Sequence, residues 1–89
     1  MLYILVQQQV KDFATWKSTF DSLEDVRKSF GQTSQKIFQN RDNPNTLTLI
    51  FGWNSFEKAQ TYYSSPELRQ AMQNAGVIPP PTITFLEGE

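Results

Sequence analysis

The chain has 89 residues and a net charge of -1 from eight basic and nine acidic side chains, with neither histidine nor cysteine. A thiol nucleophile, a disulfide framework, a Cys-type zinc site and an imidazole base are therefore excluded at the outset, and no other metal-ligand spacing is visible. The basic residues are scattered, which argues against a nucleic-acid partner; the length suits a single domain over residues 1–89, small enough to gain from sharing its surface with a second copy.

The opening MLYILV is apolar on both faces, as a strand covered on two sides reads. It is too short to span a membrane and lacks a basic leader or a small-residue cleavage site, so a cytoplasmic location is expected. Asp12 is placed to cap one amphipathic helix over 13–30, in which Phe13, Trp16, Phe20, Leu23 and Phe30 fall on an apolar stripe and Gly31 is the stop.

TSQKIFQN and TLTLIFGW read as two strands joined by the turn-forming RDNPN, hence an antiparallel hairpin. In the second of these strands Leu47, Leu49, Phe51 and Trp53 share one face, with Thr46, Thr48, Ile50 and Gly52 on the other. Asn54 and Glu57 have capping-box spacing, and Ser65, Pro66 and Glu67 mark a second helix start. The segment between Trp53 and Gly76 should therefore hold two short helices that break at Ser64 and Ser65. The run Pro79, Pro80 and Pro81 leads into a last strand, TITFL.

This order predicts an α+β fold, the ferredoxin-like βαββαβ, with a four-stranded antiparallel sheet, helices on one face and the second helix split. The uncovered face, apolar in the first and last strands, is expected to meet a second copy across a two-fold axis.

The strand followed by W-N-S-F-E, the aromatic helix and S-S-P-E-L-R-Q-A-M, with V-K-D-F-A-T-W-K at the first helix, resembles the antibiotic-biosynthesis-monooxygenase-like domains of the dimeric α+β barrel superfamily over nearly the whole chain. The resemblance implies a homodimer whose two sheets form a barrel, with a small-molecule cavity in each subunit between sheet and helices. Such domains include cofactor-free oxygenases of aromatic polyketides, haem-degrading enzymes and isomerases. Fold alone does not choose among them. Where haem-degrading relatives carry an iron-ligating histidine, the similar stretch here offers Met72, which also fits an apolar helical stripe; no cofactor is expected. Trp53 matches a tryptophan that lies against the ligand in catalytic relatives.

The candidate ligand-binding residues are Gln7, Gln9, Trp16, Phe20, Phe51, Trp53, Tyr63 and Met72. The aromatics serve equally as core. Adjacent helical residues point about 100° apart, so only one of Tyr62 and Tyr63 should face inward; Tyr63 continues the stripe from Phe56 and Ala59. Its hydroxyl needs a partner, for which Gln7 or Gln9 is the expected source, since at least one of Gln7, Gln8 and Gln9 should point into the interior. The acidic residues sit at helix starts or on polar faces, and no carboxylate pair is placed for acid and base work.

Two readings remain open. One is a domain binding a small, largely apolar or aromatic molecule, with cofactor-independent monooxygenation or isomerisation as its enzymatic versions. It requires a pocket of roughly 300 Å³ or more. The alternative is a non-catalytic dimeric structural or interaction module whose interior holds no more than a few waters. An RNA-binding domain of the same element order lacks the aromatic strand pattern and the charge.

Overall fold

The computed structural model describes residues 1–88. Its elements run β1 (Leu2–Val10), α1 (Phe13–Ser22), α2 (Glu24–Ser29), β2 (Gln32–Gln39), β3 (Thr46–Trp53), α3 (Phe56–Tyr63), α4 (Pro66–Asn74) and β4 (Val77–Glu87). All pairings are antiparallel and the strand order is β2-β3-β1-β4, so the fold is the ferredoxin-like one with helices on one face. Among the described residues no helix is long and apolar enough to cross a membrane.

The two faces of the sheet follow from strand alternation. Ile4, Val6, Gln8 and Val10 of β1 and Leu47, Leu49, Phe51 and Trp53 of β3 turn toward the helices and are buried. On the opposite face β1 and β3 set Tyr3 beside Gly52, Leu5 beside Ile50 and Gln7 beside Thr48. Leu86 pairs with Tyr3 on that face and Phe38 with Thr48, and both are exposed. An apolar centre framed by threonine and glutamine is thus left without a covering layer.

The single helix expected over 13–30 is two helices. Asp12 caps α1 as anticipated, accepting from the Thr15 N–H at 2.9 Å, but the helix stops at Leu23 (φ -103°, ψ 10°). The cause is tertiary. The Phe20 carbonyl, which a continuing helix would offer to residue 24, accepts from the Leu23 N–H at 3.2 Å and from Arg27 Nη1 at 2.7 Å. The guanidinium therefore caps the negative end of α1 and lies over the Phe20 ring, 3.6 Å from Cζ to the centroid.

The break between α3 and α4 falls at Ser64 and Ser65 as expected. Ser65 caps α4 with Pro66 in its first turn. The cap of α3 is Ser55, which accepts from the Lys58 N–H at 3.2 Å, so Asn54 is not the cap. Asn54 lies one residue before it and uses its backbone N–H to bond the Gly31 carbonyl at 2.9 Å.

The last strand begins earlier than TITFL. It starts at Val77 and includes the prolines. Gln9 pairs with Ile78 and Gln7 with Thr82, so Pro79, Pro80 and Pro81 stand opposite Gln8 alone. Proline has no N–H to give to the ladder, and β4 is an edge strand; the three prolines bow out as a bulge where a regular strand would leave bonds unmade.

Candidate functional site

Between the sheet and the four helices lies a partly open cavity of about 60 Å³. Its floor is Val6 and Gln8 of β1 with Leu49 and Phe51 of β3. The first crossover supplies Trp16, Phe20 and Arg27; the second supplies Tyr62, Tyr63 and Met72. Trp16 stacks on Phe20 at 4.7 Å and Phe20 on Phe51 at 6.0 Å, giving one continuous aromatic wall. A second hollow of about 370 Å³ lies between α4 and the proline bulge of β4. The two share Tyr63, Leu68, Met72 and Val77 as lining, so these side chains divide an inner chamber from an outer groove.

Trp16, Phe20, Phe51, Tyr63 and Met72 are therefore brought together on the cavity wall. Trp53 is not among them; it is buried behind the two tyrosines, 5.5 Å from the Tyr62 ring and 5.9 Å from that of Tyr63. Gln7 and Gln9 are also elsewhere. Both are exposed on the open face, because the core phase of β1 is set by Ile4, Val6 and Val10 and places Gln8 inward.

Both tyrosines line the cavity, where only Tyr63 was expected. α3 ends at Tyr63, so the two rings flank the chamber at a helix end, edge to face at 5.3 Å. Burial pushes the Tyr63 phenol upward, with Tyr62 adding to the shift; Arg27 opposes it, and the Trp53 indole does so weakly without reaching hydrogen-bond geometry. Burial likewise raises Tyr62 against the pull of Arg27. At neutral pH both phenols are protonated donors.

Of the run Gln7 to Gln9, expected to turn at least one amide inward, Gln8 does so, whereas Arg27 stands in the sequence as one of the scattered basic residues. Gln8 is 7 % exposed and its Oε1 has no hydrogen-bond partner. Arg27 is 3 % exposed, and although Nη1 reaches the Phe20 carbonyl and Nη2 reaches Gln35 Oε1 at a long 3.4 Å, Nε has no partner. Desolvation lowers the Arg27 pKa, with Tyr62 and Glu24 pulling it back, but a guanidinium stays charged at any ordinary pH. Among the described residues no carboxylate forms an ion pair with it. Signals for both residues exist in the sequence: Arg27 stands between Leu23 and Phe30 on the apolar stripe, and Gln8 shares the phase of Val6 and Val10.

No protein-family model matches the chain, and no curated protein matches it in sequence. Solved structures do match in shape. A crystal structure described as an antibiotic biosynthesis monooxygenase aligns over 100% of this chain and 99% of its own with a TM-score of 0.74 at 14% identity. SnoaB, a cofactor-independent oxygenase from Streptomyces nogalater, aligns over 99% of this chain and 92% of its own with a TM-score of 0.73 at 14% identity. A conserved protein from Methanosarcina mazei Go1 covers the same shares with a TM-score of 0.76 at 17% identity. The chain shares the fold of these structures over essentially its whole length.

Proposed function

We propose that the protein is a homodimeric domain of the antibiotic-biosynthesis-monooxygenase type that binds a small aromatic molecule in the chamber between sheet and helices and acts as a cofactor-independent oxygenase. The observation that carries this reading is an aromatic-walled cavity containing a buried guanidinium with no carboxylate partner. The guanidinium is held in place as the cap of α1 through the Phe20 carbonyl, and with no carboxylate against it, it leaves a positive charge on the chamber wall that an arriving or forming anion would offset.

The lining contains no carboxylate and no imidazole, and the phenols of Tyr62 and Tyr63 are held protonated. No side chain in the chamber is a ready base. The protein's contribution is electrostatic: Arg27, on the wall of a chamber lined mainly by apolar and aromatic side chains, favours the ionised form of a substrate that is itself acidic. An aromatic substrate with an activated CH2 group gives up a proton to water and becomes an enolate, which reduces dioxygen directly. One oxygen atom replaces the two hydrogens and the other leaves as water, so the substrate supplies all four electrons. Trp16, Phe20 and Phe51 hold the ring and exclude solvent from the anion.

The dimer is supported by the uncovered sheet face, where Leu5 and Ile50 are cross-strand partners ringed by Tyr3, Leu86 and Phe38. Burying that apolar centre against a second copy would complete the layer this face lacks. One observation favours the non-catalytic module instead. The inner chamber, at about 60 Å³, is well below the roughly 300 Å³ at which ligand sites begin.

Native mass spectrometry reads assembly and occupancy together. A dimer carrying an added small mass is expected, and Ile50→Glu, which puts a charge at the centre of the proposed interface, should convert it to a monomer. A monomeric wild type would overturn the barrel assembly. A dimer that takes up no aromatic compound and consumes no dioxygen in its presence would establish the structural module.

A further inference from the structure

The outer groove is the larger of the two hollows, and its chemistry differs from that of the chamber. At about 370 Å³ it exceeds the roughly 300 Å³ at which ligand sites begin. Leu68 and Met72 of α4 form one wall, and Val77, Ile83 and the proline bulge of β4 form the other. Nothing in it matches the stacked wall of Trp16, Phe20 and Phe51. The aromatic residue it has, Tyr63, is already in edge contact with Trp53, Tyr62 and Phe85. Aliphatic walls without a stacking platform suit a flexible hydrocarbon chain better than a flat ring.

The polar side chains of the groove lie on its α4 side: Ser65, Arg69 and Gln73. The Ser65 hydroxyl is engaged, donating to the Tyr62 carbonyl at 2.8 Å and accepting from the Leu68 N–H at 3.2 Å. Arg69 and Gln73 are not. They stand one turn apart on the same helical face, both are exposed, and among the described residues neither head group has a hydrogen-bond or ion-pair partner. Across the groove the three prolines bring no backbone N–H. An anionic head group therefore finds donors on α4 and none at the prolines. Arg69 and Gln73 line the groove alone, whereas Leu68, Met72 and Val77 line the chamber as well. A head held by the first pair sets its tail against the others.

We infer that the outer groove binds a free medium-chain aliphatic carboxylate of about eight to ten carbons, at a site separate from the aromatic one proposed for the chamber. The carboxylate accepts two parallel bonds from the Arg69 guanidinium and a third from the Gln73 amide, and the chain lies between Leu68 and Met72 on one side and the proline bulge on the other. The size agrees. At about 30 Å³ for a water-sized group, the groove's volume of about 370 Å³ holds about twelve such groups, and acids of this length have about ten to twelve non-hydrogen atoms. A neutral alkane would leave the cation unused, and a short acid would leave the aliphatic walls bare.

The test is calorimetric titration of the full-length protein with octanoate, octanamide, butyrate and 1-naphthoate, each below the concentration at which it forms micelles. Octanoate should bind most tightly. Each fully buried methylene is worth about fourfold in affinity, so butyrate, about four methylenes shorter, should bind at least about tenfold more weakly even with half of the chain left exposed. Octanamide keeps the chain and loses the charge, and should bind about fivefold more weakly, the upper range for an exposed ion pair. 1-Naphthoate carries the carboxylate on a rigid ring and should also bind more weakly than octanoate. Arg69→Gln should remove the preference for acid over amide. Gln73→Glu sets a carboxylate beside the head group and should reverse that preference. Both positions are exposed on α4 and neither lines the chamber.

Octanamide binding as tightly as octanoate to the wild-type protein overturns the inference without any variant, and so does tighter binding of 1-naphthoate. An octanoate affinity unchanged in Arg69→Gln places the molecule elsewhere, in the chamber or on the open sheet face, and overturns it too. If octanoate does not bind at all, the groove site falls and the reading of the chamber stands, because that reading rests on Arg27 and the aromatic wall and not on the outer residues of α4.

Discussion

Each crossover of this fold is a helix in two pieces, and the two breaks are made by different means. Between α3 and α4 the chain stops and restarts on local instructions: Ser65 accepts from the Leu68 N–H at 3.2 Å, and Pro66 opens the next turn. Between α1 and α2 the stop comes from a residue seven positions downstream, as Arg27 folds back onto the Phe20 carbonyl. The consequence reaches the chamber. The second crossover contributes the tyrosines and aliphatic walls, and the first contributes the cation that its own break requires. A structural cap and a candidate binding group are the same side chain, which ties local fold to ligand chemistry in one crossover and not in the other.

The glycines that end the crossovers sharpen this contrast and carry the largest expected effects. Gly31 (φ +105°) and Gly76 (φ +81°) both occupy backbone conformations that side chains resist, a strain of about 1–2 kcal/mol for alanine. At Gly76 the added carbon would meet the Lys11 side chain, nearest at Cβ at an ordinary 3.6 Å. At Gly31 it would strike the Asn54 side-chain oxygen, and displacing that amide adds roughly 1 kcal/mol more. Urea denaturation should therefore rank Gly31→Ala as the more damaging. The opposite order would mean that the junction between Gly31 and Asn54 is looser than its 2.9 Å backbone bond indicates.

Next in size is the cap of α4. Ser65→Ala should cost about 1 kcal/mol, the usual value of a lost hydroxyl cap, and the loss should appear as faster amide exchange in the first turn of α4 with little change in α1. If α1 exchange rises equally, the two crossovers are coupled and their breaks are not independent.

The caps also differ in charge. α1 depends on Asp12, whose carboxylate accepts from the Thr15 backbone N–H and is thereby held below its ordinary pKa of 3.8. A depressed carboxylate contributes stability above its unfolded pKa and loses it as pH falls through the folded value. Acidification below about pH 4 should accordingly fray the start of α1, read as amide exchange at Phe13 to Trp16, while the hydroxyl caps of α3 and α4 are indifferent to pH. Uniform behaviour of all three helix starts in acid would contradict this.

Much of this architecture is legible in the sequence because it is encoded locally. Strand alternation gives the buried face of β3, the hairpin turn lies between two runs of β-type residues, and Ser-Ser-Pro breaks the second helix on its own authority. The break at Leu23 has no such local signal: no proline or glycine stands there, and the stripe runs on through it. Arg27 occupies the next position of that stripe, and an arginine there reads as solvent-facing unless its reach back to Phe20 is known. Gln8 was within reach of reasoning, because Val6 and Val10 fix its phase. Tyr62 and Tyr63 both meet the chamber because it sits at the end of α3, which helical geometry alone does not reveal.

The smallest expected effect on stability separates the two polar groups of the chamber. Gln8 makes no bond through Oε1 and stands opposite the proline bulge, where β4 offers it no cross-strand residue. Gln8→Leu removes a buried acceptor without stranding a partner and keeps nearly the same volume, so its effect should lie within about 1 kcal/mol of zero and can be stabilising. Arg27 is not expendable in that way, since its removal leaves the Phe20 carbonyl with only the 3.2 Å bond from Leu23. Thermal melts of Gln8→Leu indistinguishable from wild type would mark Gln8 as a group that the fold tolerates and does not need. A marked loss would instead make the glutamine a structural element of the β1–β4 bulge, held through bonds that water completes.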